Sequence, residues 1–160
     1  VGALPRINLN KANLHANTQK DMKKYLDLFP SENVYHNNLA QAIEIMHSID
    51  HSIEILENTT FKKEAIVKAD TQTGKGVGVI EAPRGTLYYW LRIDEGIVKY
   101  ANLVIPTAQN LVNMREDLRQ VVTENIDNGE DVIRKECEKL IRAYDPCMSC
   151  ASHFLKIHWT

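Results

Sequence analysis

The segment Asp145-Pro146-Cys147-Met148-Ser149-Cys150-Ala151-Ser152-His153 holds the residues best suited to chemistry. Two of the three cysteines and one of the six histidines fall in this stretch, behind a proline that fixes the entry of the backbone. If the segment turns helically, thiols three apart and an imidazole three further on converge on one point. Such a point suits a soft, thiolate-preferring metal ion. A redox dithiol and two inert buried thiols remain open at the same spacing. Haem attachment is excluded, because Ala151 and not His follows Cys150. A zinc ribbon would want a second C-x-x-C or a His pair, and the remaining cysteine, Cys137, stands alone.

The elements that must position this segment are legible at coarse grain. Residues 1–30 are mixed and polar, with Asn8, Asn10, Asn13 and Asn17 interrupting any period; a short helix is expected over 18–29. Over 34–57, Leu39, Ala42, Ile43, Met46, Ile49, Ile53 and Leu56 recur at three and four and predict a long amphipathic helix. His36, His47 and His51 on it read as solvated or boundary side chains. Gly74, Gly76 and Gly78 read as flexible turn glycines, since no phosphate-loop pattern accompanies them. Residues 77–80 and 86–93 are β-rich, Asp94-Glu95-Gly96 is a turn, and 97–105 supplies a return strand. Pro83-Arg84-Gly85 would interrupt a buried apolar strand, a local conflict that marks either a functional position or an ordinary kink with a surface arginine. Helices are expected over 108–125 and 130–144, separated by Asn128-Gly129. Ile133, Cys137, Leu140, Ile141 and Tyr144 form one stripe, which makes Cys137 a core thiol.

At 160 residues, 44% hydrophobic and 25% charged, the chain can bury one sizeable core, and a single domain spanning 1–160 is expected. A net charge of -2 makes no electrostatic case for nucleic acid or an acidic membrane surface. No apolar run approaches the ~18 residues of a membrane-spanning helix. Nor does a charged-then-apolar signal segment open the chain. Three cysteines without framework spacing favour a reducing, cytoplasmic setting. The opening at Val1 rather than Met suggests a piece of something longer.

Four blocks in order give these features a specific likeness. They are Val1-Gly2-Ala3-Leu4-Pro5-Arg6-Ile7-Asn8, Glu81-Ala82-Pro83-Arg84-Gly85-Thr86-Leu87-Tyr88, Ala101-Asn102-Leu103-Val104-Ile105-Pro106-Thr107-Ala108-Gln109-Asn110 and the Asp145 to His153 segment. Together they resemble the large subunit of nickel–iron hydrogenases over essentially the whole chain, and the last block is the most specific. The wording around Gln109-Asn110 is most similar to the cytoplasmic multi-subunit class, the F420-non-reducing and heterodisulfide-reductase-linked enzymes of methanogens and their bacterial relatives. The implied fold is mainly α with a small β-hairpin (α+β), the C-terminal part of that subunit.

The resemblance implies that Cys147 is a terminal thiolate on nickel and that Cys150 bridges nickel and iron. It implies that Arg84 approaches the metal face as a catalytic group and that the Cys147 thiolate accepts a proton as hydrogen splits heterolytically. Pro83, Pro106 and Thr107 would surround the cyanide and carbonyl ligands of the iron, with Thr107 or Arg84 donating to a cyanide nitrogen. Asp145 would hold Arg84 by a charge-assisted bond. His153 would bind a magnesium-like ion, with the backbone carbonyl of Leu103 as a possible co-ligand. The implied partners are H2, the missing N-terminal part of the large subunit, a maturation protease and an iron–sulfur small subunit.

The family's other cysteine pair lies in an R-x-C-G-x-C block that this sequence does not contain. The chain alone is therefore expected to be inactive and metal-free or weakly loaded. The retained residues 154–160, where mature members are usually cut, imply an unprocessed precursor or a lineage without the cut. Pro5 stands where Ala is commoner. Two other classes remain in view: a small C-x-x-C zinc or redox module, and a non-catalytic assembly subunit like that of respiratory complex I. The first leaves the 81–88 and 106–110 blocks unexplained, and the intact cysteines argue against the second.

Overall fold

The computed structural model of the chain describes residues 1–68, 70 and 72–150. Helices α1 (Ala3–Asn10), α2 (Ala16–Asp21) and α3 (Lys23–Leu26) lead into the long α4 (His36–Asn58). An antiparallel meander of β1 (Gly74–Ala82), β2 (Gly85–Asp94) and β3 (Ile97–Val104) follows in the order β1-β2-β3. Helices α5 (Pro106–Glu124) and α6 (Glu130–Tyr144) complete the described elements before the 145–150 segment.

Helix α1 forms because Ala3 and Ile7, four apart, share one face and pack on Ala40 and Ile43 of α4. Leu26 and Phe29 close this core from the side. A second buried stripe runs along α6 through Ile133, Cys137, Leu140 and Ala143, at spacings of four and three. It packs on α5, whose buried residues are Thr107 and Met114. The Tyr144 hydroxyl donates to Asp117 Oδ2 at 2.6 Å across the α5–α6 seam. Burial, with that carboxylate beside it, pushes the phenol pKa well above its ordinary range.

One buried amide ties the two cores together. Asn37 Nδ2 donates to the carbonyl of Ala143 at 2.9 Å, and its Oδ1 accepts the Leu4 N–H at 3.2 Å. The start of α1, the start of α4 and the end of α6 therefore meet at a single side chain.

The long helix over 34–57 and the helix over 130–144 are where the periodicity puts them. Several expectations are corrected. Residues 1–30 contain α1, which the scattered asparagines hide, and the helix expected over 18–29 is divided at Met22 into α2 and α3. The hairpin is the second half of a three-stranded sheet. Gly74, Gly76 and Gly78 are not turn glycines: they lie in β1 opposite Ile93, Leu91 and Tyr89, where ladder pairing outweighs their backbone freedom. Pro83-Arg84 does not interrupt a buried strand, because it is the turn between β1 and β2, and β1 is exposed along nearly all its length.

The buried face of α4 is confined to its start, where Ala40 and not the expected Ala42 lies inside with Ile43. Ala40 and Ile43 have no exposed surface, whereas Ile45, Ile49, Ile53 and Leu56 are 61%, 50%, 48% and 66% exposed. Truncation of Ile43 to Ala should open a cavity that its neighbours cannot fill. A stability loss of about 2–5 kcal/mol is expected, read as a lower urea midpoint at unchanged slope; no shift in midpoint would remove Ile43 from the core.

Candidate functional site

Helix α6 stops at Asp145, which adopts the left-handed conformation, φ 48° and ψ 56°. Asp tolerates this better than most side chains, and Pro146 behind it cannot continue a helix. The reversal delivers Cys147 to the N-terminal turn of α5, where its N–H donates to Thr107 Oγ1 at 3.0 Å. Thr107 is 4% exposed and, as acceptor, keeps its own hydroxyl proton available.

From there the chain turns once more, with Cys150 N–H donating to the Cys147 carbonyl at 3.2 Å. The two Cα atoms lie 5.3 Å apart and the sulfurs meet, paired as a disulfide. Ser149 Oγ lies 3.5 Å from the Cys147 sulfur and 3.8 Å from that of Cys150. Two thiol groups thus face a single point. By chemistry they suit a soft metal such as nickel. By number they fall short, since among the described residues no group of three His, Cys, Asp or Glu side chains is placed to hold an ion.

Arg84 joins this segment from the β1–β2 turn. Its Nε donates to the Asp145 carbonyl at 2.8 Å and lies 3.1 Å from Oδ2, while Nη2 donates to Oδ1 at 3.1 Å. Asp145 Oδ2 also accepts from Gln41 Nε2 at 2.8 Å. Among the described residues, Nη1 of Arg84 takes no partner, which leaves its donors for a ligand. Gly85 is needed beside this turn: its φ is +132°, and a Cβ there would sit 2.6 Å from Val1 Cγ2.

The remaining expected residues are placed as follows. Pro83 precedes Arg84 in the turn, and Pro106 is the first residue of α5, next to Thr107. Leu103 lies in β3 opposite Tyr89. His153 lies outside the described residues. Cys137 is 4% exposed on α6, and burial, with Glu136 adding, raises its thiol pKa, so it stays neutral. His36 bonds Ser31 Oγ at 2.8 Å, and His47 accepts the His15 N–H at 3.0 Å.

Three residues without an assigned role in the sequence also reach this region. Arg6 of α1 lies against Glu44 of α4 and Glu81 of β1. Arg6 and Glu81 stand inside the first and second blocks, which is a signal of a kind; Glu44 carries none. An open groove of about 1110 Å³ runs from the exposed face of α4 past these residues to Arg84 and Asp145.

A model of the nickel-dependent hydrogenase family matches residues 29–153. The chain belongs to that family. It is 34% identical over 98% of its length to the alpha chain of sulfhydrogenase 1 of Pyrococcus furiosus, of which it covers 37%. It is 36% identical over 97% of its length to the beta chain of the NAD-reducing hydrogenase HoxS of Cupriavidus necator, of which it covers 34%. With its relative in the F420-non-reducing hydrogenase of Methanothermobacter marburgensis it shares 37% identity over 75% of the chain and 26% of that protein. Among solved structures, an NAD+-reducing NiFe hydrogenase in the H2-reduced state superposes with a TM-score of 0.69 at 27% identity, over 96% of this chain and 35% of that one. The chain thus spans about a third of the length of these hydrogenases. Its α+β architecture is a portion of their large-subunit fold. A free-standing thiol module would not explain a family match over 29–153. No helix among the described residues is long and apolar enough to cross a membrane.

Two outcomes test the site's geometry. Asp145→Asn keeps the left-handed preference and loses the ion pair, which at 42% and 32% side-chain exposure is screened. A loss of about 0.5–1 kcal/mol is expected. Asp145→Ala adds a left-handed penalty of roughly 1–2 kcal/mol, so denaturation should separate the two variants; equal losses would discount the backbone argument. Burial tends to raise the Glu81 pKa, but hydrogen bonds from Thr86 and Arg6 and the Arg6 charge outweigh it and lower the value from 4.5. A lowered folded-state pKa stabilises the fold above the ordinary carboxylate range, and this contribution disappears as pH falls through it. Wild type should lose more stability than Glu81→Gln between neutral and acid pH.

Proposed function

We propose that this chain is the C-terminal portion of a nickel–iron hydrogenase large subunit, and that the complete enzyme interconverts H2 with two protons and two electrons. One observation carries the reading. The sulfurs of Cys147 and Cys150, two and five residues beyond Asp145, the residue that fixes Arg84, meet in a chain of the nickel-dependent hydrogenase family.

In this reading Cys147 and Cys150, once reduced to thiolates, would hold nickel together with iron that carries cyanide and carbonyl ligands. The other thiolates come from the N-terminal part of the large subunit. When bound, the metal pair supplies the redox chemistry of hydrogen splitting. The Cys147 thiolate takes the released proton at Sγ. Arg84, oriented through Nε and Nη2 by Asp145, would offer its Nη1 donors and permanent charge to the reacting face. The Thr107 hydroxyl, anchored by the Cys147 N–H, donates toward a cyanide nitrogen. Pro83 and Pro106, which offer no N–H, would border the iron's cyanide and carbonyl ligands. His153 would bind a magnesium ion, with the Leu103 carbonyl available as a co-ligand.

Electrons leave through an iron–sulfur small subunit, and a maturation protease acts on the tail. Three cysteines without framework spacing favour a cytoplasmic setting for the enzyme. Two thiolates cannot hold two metals, so the chain by itself is inactive.

Two variants of the complete enzyme test this reading. Cys150→Ser should abolish nickel incorporation, measured by metal analysis. Arg84→Lys should retain nickel and lose about 10²-fold in kcat, because a point charge cannot reproduce the planar fork. Full activity in Arg84→Lys would take Arg84 out of the mechanism, and nickel retained in Cys150→Ser would overturn the metal assignment.

A further inference from the structure

Arg6 uses every N–H it has. Its Nε donates to Glu44 Oε1 at 2.7 Å and Nη2 to Glu44 Oε2 at 2.6 Å, a two-pronged brace against α4. The second Nη2 proton goes to the Pro83 carbonyl at 2.7 Å. Nη1 donates to Glu81 Oε1 at 2.5 Å and to the Ala82 carbonyl at 3.1 Å. Five donors thus meet five acceptors, the full complement of a guanidinium.

The acceptors on the sheet side are not scattered. The Ala82 and Pro83 carbonyls belong to the peptide units on either side of Pro83, and the second of these is the peptide that leads into Arg84. The sheet cannot fix this turn by packing, because β1 is exposed along nearly its whole length. Arg6, by contrast, sits on a helix whose Ala3 and Ile7 are 1% and 2% exposed. Burial of α1 therefore sets the position of its guanidinium, and the guanidinium sets the turn. The helix also comes close at Gly2, where a Cβ would lie 3.3 Å from the Arg84 carbonyl oxygen.

We propose that Arg6, braced by Glu44, is the positioning residue for Arg84: it locks the peptide planes of the β1–β2 turn so that the Arg84 guanidinium meets Asp145 in one orientation. The inference rests on the reading of Arg84 given above. A lysine at position 6 would keep the charge but could not serve Glu44, Glu81 and two carbonyls together.

The complete enzyme, with its partner subunits, carries the test. Arg6→Met, Arg6→Lys and the double variant Arg6→Met/Arg84→Lys are compared by nickel content, by kcat and KM for H2 with a dye acceptor, and by exchange of the Arg84 Nε–H in arginine-labelled protein. That signal is identified by its loss in Arg84→Lys. Arg6→Met should keep its nickel, lose about tenfold in kcat at unchanged KM and exchange the Arg84 Nε–H about tenfold faster, with Arg6→Lys between it and wild type. The double variant should be no slower than Arg84→Lys alone, as expected when one residue acts through the other.

Unchanged exchange in Arg6→Met, or losses that multiply in the double variant, would overturn the proposal. Should Arg6→Met fail to accumulate, Glu44→Gln removes the brace without removing Arg6 and should raise the same exchange rate; no rise there overturns it equally. Faster exchange with full turnover would uphold the positioning and instead overturn the catalytic role of Arg84.

Discussion

Asp145 holds this end of the molecule together by being two things in one place. As a backbone unit in the left-handed region it ends α6, turns the chain and offers its carbonyl to Arg84 Nε. As a carboxylate it takes Arg84 Nη2 and Gln41 Nε2. A helix terminus, a strand turn, α4 and the thiol segment are thereby referred to a single residue. Each of these elements has other contacts, and Asp145 is where the Arg84 Nε and Nη2 donors end.

The joints around it are polar and directional. Asn37 bridges α1 and α6, Thr107 receives the Cys147 N–H, Tyr144 reaches Asp117, and Arg6 bridges Glu44 and the turn. Apolar packing would stabilise such junctions without specifying an angle, because burial of hydrocarbon has no preferred direction. Hydrogen bonds to carbonyls and carboxylates fix distance and angle together. The division of labour follows: Ile7, Ile43 and Ile133 keep the helices assembled, and the polar joints fix the angles at which their ends meet.

Helices α4 and α6 were legible in the sequence because their apolar residues recur at three and four, and local spacing is what a sequence displays. The glycine-rich β1 was not, since its strand state comes from pairing with β2, a partner that no local pattern reveals. Helix α1 hid behind asparagines that interrupt the period, although Ala3 and Ile7 suffice to seat it. The cysteine pair stood out by chemistry alone. Arg84 and Asp145, 61 positions apart, became a pair in the sequence only through the family resemblance, and the structure shows the contact. The pairing of Arg6 with Glu44 and Glu81 was silent, although Arg6 and Glu81 stand inside the matching blocks, because ion pairs between distant elements leave no periodic trace.

The bare half of α4 has a consequence for how this polypeptide behaves in solution. Ile45, Ile49, Ile53 and Leu56 present an oily ridge to water, and strand β1 exposes Val77, Val79 and Ile80. Surfaces of that kind attract one another. Freshly made chain would clump as its concentration rises unless something shelters the ridge early. Synthesis alongside its neighbours would then matter as much to yield as the strength of the fold itself.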